Sequence, residues 1–154
     1  MTDFPTGRCG IVAHDAGAAN QILHWITAGD FSDIDIALSL HGPAKTIAER
    51  LGLLSRFDSI DDVETLIQKV DWVICGTGWA TQVEKSAMCL ARQYAIPVFA
   101  VLDHWVNYRP RLNYHADDTA DVDELWVVDE EARSLAATEF PGTRIRTMPG
   151  RYLE

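Results

Sequence analysis

Short apolar segments alternate with segments of helical periodicity along almost the whole chain, and this alternation constrains the fold more than any other feature. The apolar segments predict strands at Cys9–Ala13, Ile34–Leu40, Asp71–Cys75, Pro97–Leu102 and Glu124–Val128, with a more exposed last strand at Thr143–Thr147. The periodic segments predict helices at Ala18–Ala28, Gly42–Arg50, Asp62–Lys69, Thr81–Tyr94 and Glu130–Thr138, with Asp61 or Asp62 capping the third. Strands this apolar are buried on both faces, which is typical of parallel sheets with right-handed crossovers.

The pattern predicts a single Rossmann-like three-layer α/β/α domain with a mainly parallel sheet. The chain has 154 residues and 47% hydrophobic residues, enough for one core. We assign residues 1–152 to this domain. The final Leu153-Glu154 follows no helix stop or cap, so it is either a cloning scar on an excised domain, for example the N-terminal half of a longer protein, or a natural terminus.

Charge and composition limit the cellular locations and the classes of binding partner expected for this chain. The formal charge is −10, which disfavours nucleic acid as a partner. No apolar run is long enough to span a membrane, and the N-terminus lacks the basic start and apolar stretch of a signal peptide. Cys9, Cys75 and Cys89 lie in apolar segments without metal-ligand spacing, so we expect buried, reduced thiols and a cytoplasmic location.

Unusual residues occupy four turns that follow predicted strands. These turns are 14–17 (HDAG), 41–43 (HGP), 76–79 (GTGW) and 103–105 (DHW). In an open parallel sheet, ligands bind beyond the carboxyl ends of the strands. We therefore expect these turns to share one cleft.

The first turn lacks the G-x-G-x-x-G fingerprint, and the second strand ends in Ser39-Leu40-His41 rather than an acidic residue, so an NAD dehydrogenase is disfavoured. Gly17 either opens a helix whose free N–H groups receive an anion, or only permits a tight turn. His14 and Asp15 point in different directions on an extended chain, so adjacency alone does not make them a dyad. One of them acts as a general base, or Asp15 caps the helix and His14 packs.

Two further segments carry candidate binding groups. In Gly76-Thr77-Gly78-Trp79, the glycines would allow close backbone approach to a ligand; the alternative is a plain strand-to-helix turn, with Glu84 as a helix-dipole carboxylate. The segment 103–111 (DHWVNYRPR) combines an acid, a histidine, two aromatics and two arginines, which suit sugar stacking and the binding of carboxylate or phosphate. The acidic run 115–124 lacks calcium-loop spacing and indicates a solvated loop. No motif of the common hydrolase, metalloprotease, redox or NTPase classes occurs, and no metal is expected.

At these turns the sequence resembles the N-terminal half of bacterial GT-B-type glycosyltransferases and the related UDP-sugar 2-epimerases. The resemblance is carried by 14–22 (HDAGAANQI), by 71–111, which includes LDHWVNYR, and by 123–142 (DELWVVDEEARSLAATEFPG). It implies an acceptor-side domain that faces a second, C-terminal domain holding most of a nucleotide-sugar donor. That second domain is absent from this chain.

The resemblance implies a glycosyltransferase domain for polysaccharide or surface-glycan synthesis, with a sugar or glycan acceptor, a nucleotide sugar as substrate and no cofactor. The implied catalytic residues are Asp15, His14 and His104. The implied binding residues are Gly17, Asn20, Gly76, Thr77, Gly78, Trp79, Glu84, Asp103, Trp105, Asn107, Tyr108 and Arg109. Two alternatives stay open: a non-catalytic nucleotide or sugar-phosphate binding module, and a small epimerase-like enzyme working as a homodimer.

Overall fold

The computed structural model describes residues 4–78, 81–103, 112 and 119–152. In these ranges the strands are β1 (Cys9–Ala13), β2 (Ile36–Leu40), β3 (Asp58–Ser59), β4 (Trp72–Cys75), β5 (Val98–Val101), β6 (Glu124–Val127) and β7 (Arg144–Thr147). The helices are α1 (Ala16–Ala28), α2 (Gly42–Arg50), α3 (Val63–Lys69), α4 (Val83–Gln93) and α5 (Glu130–Glu139). Each predicted strand and helix is present, with ends that coincide with the predicted ones or differ by at most two residues.

All seven strands form one sheet in the order β3-β2-β1-β4-β5-β6-β7, and every neighbouring pair is parallel. The predicted Rossmann-like α/β class is confirmed. The chain proceeds outward from β1 to β3, then crosses back to place β4 on the other side of β1. The gap between the loops after β1 and β4 is the topological switch point of the sheet, where ligands of such folds bind.

Helices cover both faces of the sheet. Apolar residues of α1 and α2 pack on one face, and those of α3, α4 and α5 pack on the other. This is the arrangement that right-handed crossovers produce when the direction of winding reverses after β3. Because both faces are covered, β1, β2, β4, β5 and β6 are buried along their full length. The edge strand β7 is half exposed, in agreement with the prediction of a more exposed last strand.

Aromatic side chains fill the α1 face of the sheet beyond the helices. Trp25, Trp72 and Trp126 are fully buried there. Phe4 stacks on Trp72 with ring centroids 5.8 Å apart, and Phe99 stacks on Trp126 at 5.4 Å. This cluster joins the N-terminal segment, α1 and three strands in one apolar core.

Two sequence predictions about orientation are wrong. The helical spacing of Val83, Ala87, Leu90, Ala91 and Tyr94 predicts that all five face the sheet, but Tyr94 is 41% exposed and its hydroxyl contacts Gln68 and Glu64. We also expected three buried thiols, but Cys89 is exposed, and only Cys9 and Cys75 are buried. The buried residues of α4 are Glu84, Ala87, Met88 and Ala91; Cys89 lies on the opposite side of this helix, and Tyr94 is the residue that follows its end. No helix in the described ranges has both the length and the apolar character needed to cross a bilayer.

Candidate functional site

Four loops meet at the carboxyl edge of the sheet, around the switch point between β1 and β4. They follow β1, β2, β4 and β5, and each contains a polar residue or glycine singled out in the sequence. Contacts join them directly: the His41 N–H donates to the Ala13 carbonyl (3.0 Å), and the Ala44 N–H donates to the His14 carbonyl (2.9 Å). We call this edge the rim, defined by residues 14–17, 41–43, 76–78 and 103.

His14 and Asp15 form a hydrogen-bonded pair in the loop after β1. Nδ1 of His14 lies 2.6 Å from Oδ1 of Asp15, and the two side chains are 19% and 27% exposed. Asp15 occupies the N-cap position of α1 but makes no side-chain capping bond. The alternative in which Asp15 caps the helix is therefore wrong, and the two neighbours do make a dyad although their backbone is extended.

Gly42 makes room for the second nitrogen of the His14 ring. Gly42 has φ of +52°, and a Cβ atom there would lie 2.6 Å from Nε2 of His14. A carboxylate at Nδ1 favours the tautomer protonated at that nitrogen, which leaves Nε2 as the basic position.

His41 lies in the same loop as Gly42, and burial together with the nearby His14 and Lys45 lowers the pKa of His41. Ser39 Oγ, 3.0 Å from His41 Nε2, fixes the orientation of that ring.

Glu84 links the loops after β1 and β4 from within the protein. It lies in the first turn of α4 and is 1% exposed. One carboxylate oxygen accepts from the Gly78 N–H (2.8 Å) and the other from the His14 N–H (3.4 Å). Burial raises the pKa of Glu84 to about 7, against the opposing effect of these two bonds. Glu84 is thus a positioning residue beneath the dyad and not a surface group that a ligand reaches.

Three glycines of the rim each face a carboxylate of this chain. A Cβ atom at Gly17 would overlap the Asp103 carboxylate, one at Gly76 would overlap that of Glu84, and one at Gly78 would overlap that of Asp15. In the structure the groups that approach these glycines are the chain's own acids, and the close approach of a ligand to them stays a prediction. Asp103 lies against the start of α1, where we had considered an anionic ligand.

Of the remaining predicted residues, Thr77 and Asn20 lie in the described part of the chain and six do not. Thr77 is fully buried and its hydroxyl donates to the Val101 carbonyl (2.6 Å), so it ties β4 to β5 instead of facing a ligand. Asn20 lies on α1 in a groove beside the rim. Six predicted residues lie outside the described residues, namely Trp79, His104, Trp105, Asn107, Tyr108 and Arg109. In the described part of the chain, no three His, Cys, Asp or Glu side chains are arranged to hold a metal ion.

Sequence reasoning missed the part that the loop after β2 plays. The turn 41–43 was placed at the rim, but neither His41 nor Gly42 was taken as a site residue. The available signal was the His-Gly-Pro sequence directly after a buried strand, since the first turn also has a histidine at a strand end, with a glycine three residues later. What could not be seen was that Gly42 lies against His14, because that contact joins two different crossovers.

Comparisons with known proteins support the fold of this chain and no specific function. No family model matches the chain, and no curated protein matches it. Among solved structures, a hypothetical protein from Streptococcus mutans is similar, with 12% identity, a TM-score of 0.54 and 92% of this chain covered. The chain spans 59% of the length of that protein. A diketoreductase, described as a dual catalyst of dicarbonyl compounds, aligns at 12% identity with a TM-score of 0.40, covering 97% of this chain and 68% of its own.

Proposed function

We propose that the rim is the acceptor side of a glycosyl-transfer site, where His14 takes the proton of a sugar hydroxyl. The observation that carries this proposal is the His14–Asp15 pair, whose Nδ1···Oδ1 distance of 2.6 Å orients a partly exposed imidazole at the switch point. A histidine ordered by a carboxylate is a common general base. The sequence resemblance to the acceptor half of GT-B enzymes supports the same assignment.

The acidic surroundings of the dyad favour a polyhydroxyl ligand over a phosphate. Asp15 and Asp103 lie beside the glycines of the first and third loops, and Glu84 lies beneath them. Carboxylates accept hydrogen bonds from hydroxyl groups and repel anions. We therefore assign the neutral acceptor sugar, and not the donor diphosphate, to this part of the rim.

The proposed reaction is a single displacement. The acceptor oxygen bonds to the anomeric carbon of a nucleotide sugar as the bond from that carbon to the diphosphate breaks. The nucleoside diphosphate leaves with the electron pair, and Nε2 of His14 takes the hydroxyl proton. Asp15 stabilises the imidazolium that results. Holding the donor is left to residues beyond the four rim loops, in keeping with the two-domain organisation that the resemblance implies.

The test is a transfer assay on the protein as its gene encodes it, with a panel of nucleotide sugars and saccharide acceptors. His14→Gln should lower kcat about 10²- to 10⁴-fold with a smaller change in KM, as expected for loss of a general base. Asp15→Asn should act in the same direction, while Asp33→Asn, an equivalent change on an exposed loop at the other end of β2, should have no effect. Saccharide binding without any transfer, or full transfer by His14→Gln, would contradict the catalytic assignment.

A further inference from the structure

A groove of about 550 Å³ lies between α1 and α2; it shares Ala16 and Pro43 with the rim, but neither His14 nor Asp15 lines it. Its lining residues come from one stripe of each helix and from the end of the chain: Ala16, Asn20, His24, Pro43, Thr46, Ile47, Arg50, Leu51 and Tyr152. Residues 16, 20 and 24 are spaced four apart on α1, and 43, 46, 47 and 50 follow the three-four spacing of one α2 face. The volume is that of an ordinary small-molecule site.

The charge of this groove is opposite to that of the molecule. The chain carries 23 acidic and 13 basic residues, yet the lining contains no acid. Its permanent charge is Arg50, which forms no ion pair with any residue in the described ranges. Arg50 also lies in the last turn of α2, where the helix dipole favours a cation, but that position does not account for a groove free of acids around it.

His24 and Tyr152 form an aromatic wall of the groove. The Tyr152 ring packs on the His24 ring with centroids 5.0 Å apart. A bidentate salt bridge from Arg151 to Asp30, with both contacts at 3.0 Å, holds the segment that carries Tyr152. The same segment is also held by the Trp25 indole N–H, which donates to the Pro149 carbonyl (2.6 Å). The aromatic wall is therefore anchored and does not depend on a ligand for its position.

We propose that this groove binds a small organic anion, with a carboxylate or phosphate group on Arg50 and an apolar or aromatic body against Tyr152, Ile47 and Leu51. The guanidinium supplies two parallel donors to either type of anion. Thr46 and Asn20 supply further hydrogen-bonding groups on the same two helices. This site goes beyond the proposed transfer function and does not depend on His14.

The test is an NMR titration of the full chain with phenylacetate, phenyl phosphate, the neutral analogue phenylacetamide, and inorganic phosphate. We expect the two aromatic anions to bind in the millimolar range and to shift the Asn20 side-chain amide and the Arg50 Nε–H. Phenylacetamide and inorganic phosphate should each bind at least about tenfold more weakly, since each lacks one half of the recognised structure. The tighter of the two aromatic anions identifies which head group the site prefers.

Variants test whether the aromatic anions bind in this groove. Arg50→Gln should weaken binding of the aromatic anions at least about tenfold, with partial recovery in Arg50→Lys. Lys45→Gln removes the same charge from the same helix but lies outside the groove, and it should leave binding unchanged. Equal binding by Arg50→Gln and Lys45→Gln, equal binding of phenylacetamide, or no saturable shifts with any probe would overturn the proposal. Far-UV circular dichroism confirms that each variant is folded.

Discussion

At the scale of single residues, Glu84 is the most buried carboxyl group in the described part of the chain. It is a carboxyl group with 1% of its surface exposed, placed between backbone N–H groups of two loops. Burial disfavours the charged form, and two hydrogen bonds from N–H groups only partly offset that cost. Its protonation therefore couples the stability of the fold to pH, at a point directly beneath the dyad.

We predict that Glu84→Gln flattens the pH dependence of the free energy of unfolding. The Glu84 pKa is about 7 in the folded chain against an ordinary 4.5, so the folded state holds a proton that the unfolded state has released between these values. Stability from this group is present below about pH 4.5 and is lost as pH rises to about 7. The loss is at most on the order of 3 kcal/mol.

The measurement is urea unfolding at several pH values. The amide oxygen of the Gln variant can still accept from the Gly78 N–H, but the amide does not ionise. Glu49→Gln, an exposed change on α2, is the control and should follow the unsubstituted protein. Parallel curves for Glu84→Gln and the unsubstituted protein would show that the carboxyl is not desolvated as described.

Gly42 leaves no room for a side chain beside the His14 ring. Gly42 and Gly52 both have positive φ, +52° and +73°, so alanine costs about 1–2 kcal/mol of backbone strain at either. Only at Gly42 would the new Cβ meet His14. We expect both variants to lose stability, but only Gly42→Ala to displace the His14 ring and change the NMR chemical shifts of its ring protons. Unchanged His14 ring shifts in Gly42→Ala would contradict the described packing.

At the scale of elements, the helices begin in two different ways. Asp62 and Asp129 cap α3 and α5 by accepting from the Thr65 and Ala132 N–H groups. Asp15 holds the same position on α1, but its carboxylate is bonded to His14. The same residue type therefore stabilises a helix at two strand-to-helix turns and orders a histidine at the third.

We predict that Asp129→Ala lowers the free energy of unfolding by about 1 kcal/mol, because the first turn of α5 loses an acceptor for the Ala132 N–H (2.7 Å). Asp129→Asn should retain most of that stability, since its side-chain oxygen can make the same bond. Thermal unfolding followed by circular dichroism measures both. A loss of the same size in the two variants would point to charge and not to capping.

At the scale of the whole molecule, the aromatic cluster links elements that are far apart in sequence. Trp126 of β6 contacts Trp25 of α1, Phe31 and Phe99, with ring centroids 5.4 to 6.3 Å apart. The C-terminal segment closes over this side of the sheet through the Trp25–Pro149 hydrogen bond, between residues 124 positions apart. The core is thus continuous from the first strand to the last residues described.

Trp126→Ala should cost about 3–5 kcal/mol of unfolding free energy, because it removes a fully buried ring from a close-packed cluster. Leu135→Ala, at a position 37% exposed on α5, should cost less than about 1 kcal/mol. Denaturant unfolding compares the two. A small loss for Trp126→Ala would mean that the cluster collapses around the space without penalty.

The order of the elements and the class of the fold were predictable from the sequence, because short apolar segments and helical periodicity are local properties. Cys9–Ala13 was predicted with its observed ends, and the last strand was predicted to be more exposed than the others. The edge of the sheet that carries the polar turns also followed, because the carboxyl ends of parallel strands lie together.

Only the tertiary structure decided which side chains meet there. The Asp103 carboxylate lies against Gly17, and Glu84 is buried. Both observations depend on the positions of α1, α4 and Asp103 relative to one another, which no local sequence pattern encodes. The same holds for Tyr152 beside His24, since that contact joins α1 to the C-terminal segment, which is far from it in sequence. Periodicity specifies which face of an element is apolar, whereas the contacts between loops follow from the packing of all the faces at once.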